Sequence, residues 1–80
     1  MMAYGYKWDS ESETPDKLKE ASIACTKEEL DQLIGFLTGI RNEIRDMEDI
    51  EDEHWHYRDW CEKWTGSESD LIVFLINNKQ

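Results

Sequence analysis

The stretch DEHWHYRDWCEKW, residues 52–64, gathers both histidines of the chain with three tryptophans, a tyrosine and a cysteine. Two imidazoles at i and i+2 can supply half of a zinc site, but zinc needs a third protein ligand when catalytic and a fourth when structural. Glu51, Asp52 and Glu53 are the nearest candidates, and none sits at a diagnostic spacing. A His-x-His metal-binding protein is therefore the third-ranked reading, and no metal or cofactor is expected. Histidine also titrates near neutral pH, so an adjacent pair can make association pH-dependent.

Read as a strand, the stretch sends His54, His56, Arg58 and Trp60 to one side and Trp55, Tyr57, Asp59 and Cys61 to the other. That alternation separates Asp59 from His56, an acid and a base that could otherwise be composed there, and holds Cys61 away from both histidines. No phosphate-binding glycine loop, nucleophile elbow or H-E-x-x-H motif occurs. The expectation is a protein without catalytic activity. Its histidines either pack between aromatic and charged neighbours on a sheet face or touch a protein partner. Aromatic residues fill small cores and are also enriched at interface hot spots, and Trp60, on the histidine side, is the one expected to face a partner.

The 80 residues include 19 acids against 9 bases, a formal net charge of −10. Such a field favours solubility and repels nucleic acid and anionic membranes, while a basic protein surface is attracted, in on-rate more than in affinity. The carboxylates are densest in DMEDIEDE, residues 46–53. Asp49, Asp52 and Glu53 are therefore candidate partner contacts, with a solvated loop as the plainer alternative. No apolar run reaches the ~18 residues of a membrane span, and the N-terminus lacks the pattern of a signal peptide, so a cytoplasmic location is expected. Cys25 and Cys61 are then expected as thiols and small core residues.

These residues must be positioned by a single small domain, residues 1–80. AYGYKW alternates, with Tyr4, Tyr6 and Trp8 on one side of a first strand. DSESETPD is a polar loop, and LKEASIAC gives a second strand with Ala21, Ile23 and Cys25 on one face. TKEE is a capping box that starts a helix at Lys27, whose apolar stripe is Leu30, Leu33, Ile34, Leu37, Ile40, Ile44 and Met47. Gly35 and Gly39 inside it each cost about 1 kcal/mol relative to Ala, which a close approach of helix to sheet would explain. The G-x-x-x-G spacing implies membrane dimerisation only in an apolar span, and this helix carries charges throughout. The acids after Ile44 oppose the helix dipole and predict an end near Asp49.

After a TGSES turn, DLIVFLIN holds six consecutive apolar residues, a strand that wants cover on both faces. The layout predicts an α+β fold in ββαββ order: two layers, a four-stranded, mainly antiparallel sheet with one long helix on one face. One helix covers one face. The other must meet a protein partner, a second copy in a homodimer, or aromatic side chains of neighbouring strands.

In this order the series YGYKW, LKEASIACTKEELDQLIGFL, DEHWHYRDW and SDLIVFL resembles immunity protein family thirty-two of polymorphic-toxin systems. His54 and His56 match that family's H-x-H feature, and Ser69, Asp70, Leu71 and Ile72 follow its S-x-D-L-I-I feature with the spacer after the serine absent. The resemblance implies a non-enzymatic inhibitor that binds a cognate toxin and blocks its active surface. An acidic inhibitor suits a basic toxin such as a nuclease, whose substrate phosphates its carboxylates would replace. A homodimeric structural or regulatory module is the second reading.

Overall fold

The computed structural model describes residues 1–76. Its elements run β1 (Ala3–Gly5), β2 (Asp16–Leu18), α1 (Lys27–Ile44), β3 (Glu53–His56), α2 (Tyr57–Trp60) and β4 (Ile72–Leu75). The α+β class and the long helix agree with the sequence reading. The single four-stranded sheet does not: β1 pairs only with β2, and β3 only with β4, as two separate antiparallel ribbons.

The reason lies in segment 19–25, which was expected to extend the second strand. It offers alanines, a charged start and one isoleucine, and all seven residues are exposed without regular structure. Too little apolar area is available there to offset the entropy of fixing the backbone, which is about 1–2 kcal/mol per residue. The ribbons therefore stay apart, with a groove of about 730 Å³ between residues 20–25 and the chain around Asp70. The first ribbon buries its small residues rather than its aromatic ones. Ala3 and Gly5 are half-buried over Leu18, whereas Tyr4, Tyr6 and Trp8 face solvent.

α1 begins as the capping box dictates. The Glu29 N–H donates to Thr26 Oγ1 at 3.1 Å, and the Thr26 N–H donates to Glu29 Oε1 at 2.8 Å. Hydrogen bonding of the Glu29 carboxylate by the Thr26 N–H, and by the Thr26 side chain, holds the carboxyl below its ordinary pKa. The helix ends at Ile44, earlier than the acid run alone predicts, in a turn where the Met47 N–H donates to the Ile44 carbonyl.

The core is small. Only Phe36, Ile40 and Cys61 are buried among the described apolar residues, with Phe36 at 2% exposure. Phe36 stands edge-on to Tyr57, with centroids 5.4 Å apart, and tilted to Trp60 at 5.9 Å. Leu30, Ile34 and Leu37 of the expected stripe are exposed instead, because α2 sits over the Phe36–Ile40 side of the helix. Cys25 is exposed as well, so only one of the two cysteines is a core residue.

The glycines of α1 have a different neighbour from the one expected. A Cβ on Gly35 would lie 3.1 Å from Trp60 Cη2, and one on Gly39 would lie 3.8 Å from Trp60 Nε1. An indole, not a sheet, approaches the helix there. No helix of the described residues is long and apolar enough to cross a membrane.

The accessible surface is 7405 Å², whereas a folded monomer of 9.5 kDa shows about 5,000 Å². The radius of gyration, 14.0 Å, likewise exceeds the ~12 Å of a compact chain of this length. The difference in area is larger than the roughly 800 Å² that each partner buries in a standard interface.

Candidate functional site

β3 and β4 form a ladder in which Glu53 opposes Leu75, His54 opposes Phe74, Trp55 opposes Val73 and His56 opposes Ile72. Directly opposed residues share a face, so His54, His56, Ile72 and Phe74 project together from one side of the ribbon, and Asp70 continues the same parity. The other side carries Trp55, Val73 and Leu75, all half-buried. Its link to α1 is polar: Trp55 Nε1 donates to Glu43 Oε2 at 2.9 Å.

The Tyr57 N–H donates to the Leu71 carbonyl at 2.8 Å, which fixes the phase of the ladder. Hydrogen-bonded pairs alternate with non-bonded ones, so Trp55–Val73 and Glu53–Leu75 bond across the ribbon. His54–Phe74 and His56–Ile72 are then the close, non-bonded pairs. Their own N–H and C=O groups point away from the ribbon, to its two outer edges.

The side chains on this face are of two kinds. Phe74 and Ile72 are exposed by 54% and 52%, and Ile76, beyond the end of β4, is also exposed. Beside them, His56 Nδ1 lies 2.6 Å from Asp70 Oδ2, the Arg58 N–H donates to Asp70 Oδ1 at 2.9 Å, and Arg58 Nε is 3.7 Å from Oδ2. Partial burial alone would raise the Asp70 pKa, but the His56 and Arg58 hydrogen bonds and charges outweigh it and hold the carboxyl below its ordinary value. The His54 and His56 rings meet edge-to-face with centroids 5.5 Å apart.

The expected strand through Arg58 and Trp60 is not formed. The chain turns into α2 at Tyr57, so the alternation that grouped these residues with the histidines ends at His56. Arg58 returns to the group through Asp70, whereas the Trp60 ring lies against Gly35 and Gly39 of α1 and remains 43% exposed. His54, His56, Asp59 and Trp60 nonetheless line one open cleft of about 470 Å³, floored by Phe36 and Ile40. Cys61 is not on a strand face opposite the histidines: it caps α2, and its N–H donates to the Tyr57 carbonyl. A hydrogen bond with the Cys61 thiol, aided by burial, pushes the Tyr57 hydroxyl up to about 12.

Asp49, Asp52 and Glu53 are exposed along the connection that enters β3. Asp52 adopts φ 46°, a left-handed conformation that Asp tolerates better than most residues, and this turn aims the chain into the strand. Sequence reasoning gave Asp70 no contact with His56. The relevant signal was parity across a hairpin, readable only once the register of β3 against β4 is known.

The loop before β4 is held by its own bonds. The Thr65 N–H donates to Glu68 Oε2 at 2.6 Å, and Trp64 Nε1 donates to the Ser69 carbonyl at 3.1 Å. Among the described residues, no group of three or more His, Cys, Asp or Glu is placed to hold a metal ion. No family model, curated protein or solved structure matches the chain.

Proposed function

We propose that this protein is a non-enzymatic, cytoplasmic inhibitor that neutralises a basic protein toxin by covering its working surface with the outer face of the β3–β4 ribbon. The observation that carries the reading is the composition of that face. Ile72 and Phe74 stand exposed next to the His54–His56 pair, and six carboxylates without a basic residue lie in the adjoining segment 46–53.

Exposed apolar residues rimmed by charge mark protein interaction sites, with the apolar centre supplying affinity and the rim supplying steering. The H-x-H and D-L-I resemblance supports the toxin class of the partner. Under this reading His54, His56, Arg58 and Trp60 are contact residues together with Asp49, Asp52 and Glu53.

A homodimer through the same face is the second reading, since a second copy would cover the exposed Ile72 and Phe74 as a toxin would. The test is affinity capture from the native host at modest salt, with tagged wild type and a His54→Ala, Phe74→Lys double variant. The expected result is a basic protein retained by wild type and lost by the variant, whose toxicity on expression is relieved by the wild-type chain. Recovery of the chain alone, or of a protein whose activity the chain leaves untouched, would contradict it.

A further inference from the structure

The face described above is bounded by an edge whose backbone pairs with no other strand among the described residues. The phase of the ladder turns the N–H and C=O groups of Ile72 and Phe74 away from β3. Among the described residues no strand pairs with that side of β4. Proteins ordinarily guard such an edge with lysine, proline or an inward charge. From Leu71 to Ile76 there is none.

Charge decides what such an edge accepts. Asp70 and Glu68 stand at the start of the strand, and Glu53, preceded by Asp52 and Glu51, stands beside its end, opposite Leu75. A second copy pairing antiparallel would bring the Glu68 end of one β4, where His56 and Arg58 already pair Asp70, toward the Glu53 end of the other, between chains that each carry a net charge of −10. A strand with cationic ends meets the opposite situation at both ends.

We infer that the free edge of β4 takes up an extended segment of the basic partner as an added strand, of about five residues with apolar side chains at alternate positions and Lys or Arg at both ends. This mode rests on the binding reading above and specifies how that binding is made. Main-chain bonds to Ile72 and Phe74 hold the segment. Its alternate apolar side chains cover the Ile72 and Phe74 side chains, and its cationic ends lie near Glu68 on one side and Asp52 and Glu53 on the other.

The test uses the isotope-labelled full chain and two synthetic peptides of alternating valine and threonine, one flanked by lysines and one by glutamates. Amide exchange is followed residue by residue by NMR at millimolar peptide. The lysine peptide is expected to slow exchange at Phe74 and Ile72 by about tenfold, the glutamate peptide to leave it unchanged, and Ile76→Pro, which removes an outward N–H past the end of β4, to weaken binding several-fold. Ile72→Lys, which guards the edge without touching the ladder to β3, gives the same loss if Ile76→Pro disturbs folding. Equal binding of both peptides, no protection at Phe74, or a Phe74 amide already protected in the free chain would overturn the inference. A basic protein captured by wild type that binds Ile76→Pro equally well, with that variant folded, would overturn the edge mode and leave the inhibitor reading standing.

Discussion

The Nδ1 of His56 lies 2.6 Å from the Oδ2 of Asp70, joining the last residue of β3 to the approach of β4. The Arg58 N–H holds the other carboxylate oxygen, so one side chain fixes the strand end, the start of α2 and the register of the ribbon. Charge-assisted hydrogen bonds of this kind contribute about 1.5–3 kcal/mol each. Asp70→Asn is expected to lower stability by an amount in that range near neutral pH, read by urea denaturation.

The pH dependence of that loss has a definite sign. The folded-state pKa of Asp70 lies below its ordinary 3.8. Its ionised form therefore stabilises the fold at pH above the ordinary carboxylate value, and the contribution disappears as pH falls through the lowered folded-state value. Wild type and Asp70→Asn should differ at pH 7 and converge in acid. A difference that persists unchanged in strong acid would assign Asp70 a role in shape alone.

Trp60 discriminates between the two helix glycines. Gly39→Ala gains about 1 kcal/mol of helix propensity, and its Cβ meets the indole at ordinary contact distance, 3.8 Å. Gly35→Ala gains the same propensity but presses a Cβ to 3.1 Å from the ring, which must shift outward. Thermal denaturation should place Gly39→Ala above wild type, with Gly35→Ala below Gly39→Ala and with altered Trp60 fluorescence.

Phe36 carries the core almost alone. Its ring fills the space between Tyr57, Trp60 and α1, so Phe36→Ala removes the contacts that dock α2 on the long helix. Such truncations cost about 3–5 kcal/mol, a large part of the stability of a domain of this size. The variant should lose cooperative unfolding by circular dichroism, whereas Leu37→Ala, on an exposed position, should not.

Features set by neighbouring residues were legible in the sequence. Thr26 and Glu29 cap α1 because their spacing alone satisfies the first turn, and His54 and His56 share a face because strand parity requires it. Features set by distant pairing were not. Phe36 stands outside the apolar stripe read from spacing, and its burial depends on α2, a helix of four residues too short to show a period. Arg58 and Trp60 were assigned a strand face because the alternation continues on paper past Tyr57. The six-residue apolar run was read as needing cover on both faces, yet burial alternates along β4, with Val73 and Leu75 half-buried and Ile72 and Phe74 exposed.

The central claim is that the β3–β4 face, and not another apolar patch, meets a basic partner. Titration calorimetry of the captured partner against wild type, Phe74→Lys and Trp8→Ala, over a series of salt concentrations, tests it most directly. Phe74→Lys should weaken binding by at least about tenfold, or 1.4 kcal/mol, while Trp8→Ala, exposed in the turn after β1, leaves it unchanged and rising salt weakens the wild-type affinity. Equal affinity for wild type and Phe74→Lys, or loss on Trp8→Ala instead, would contradict the account.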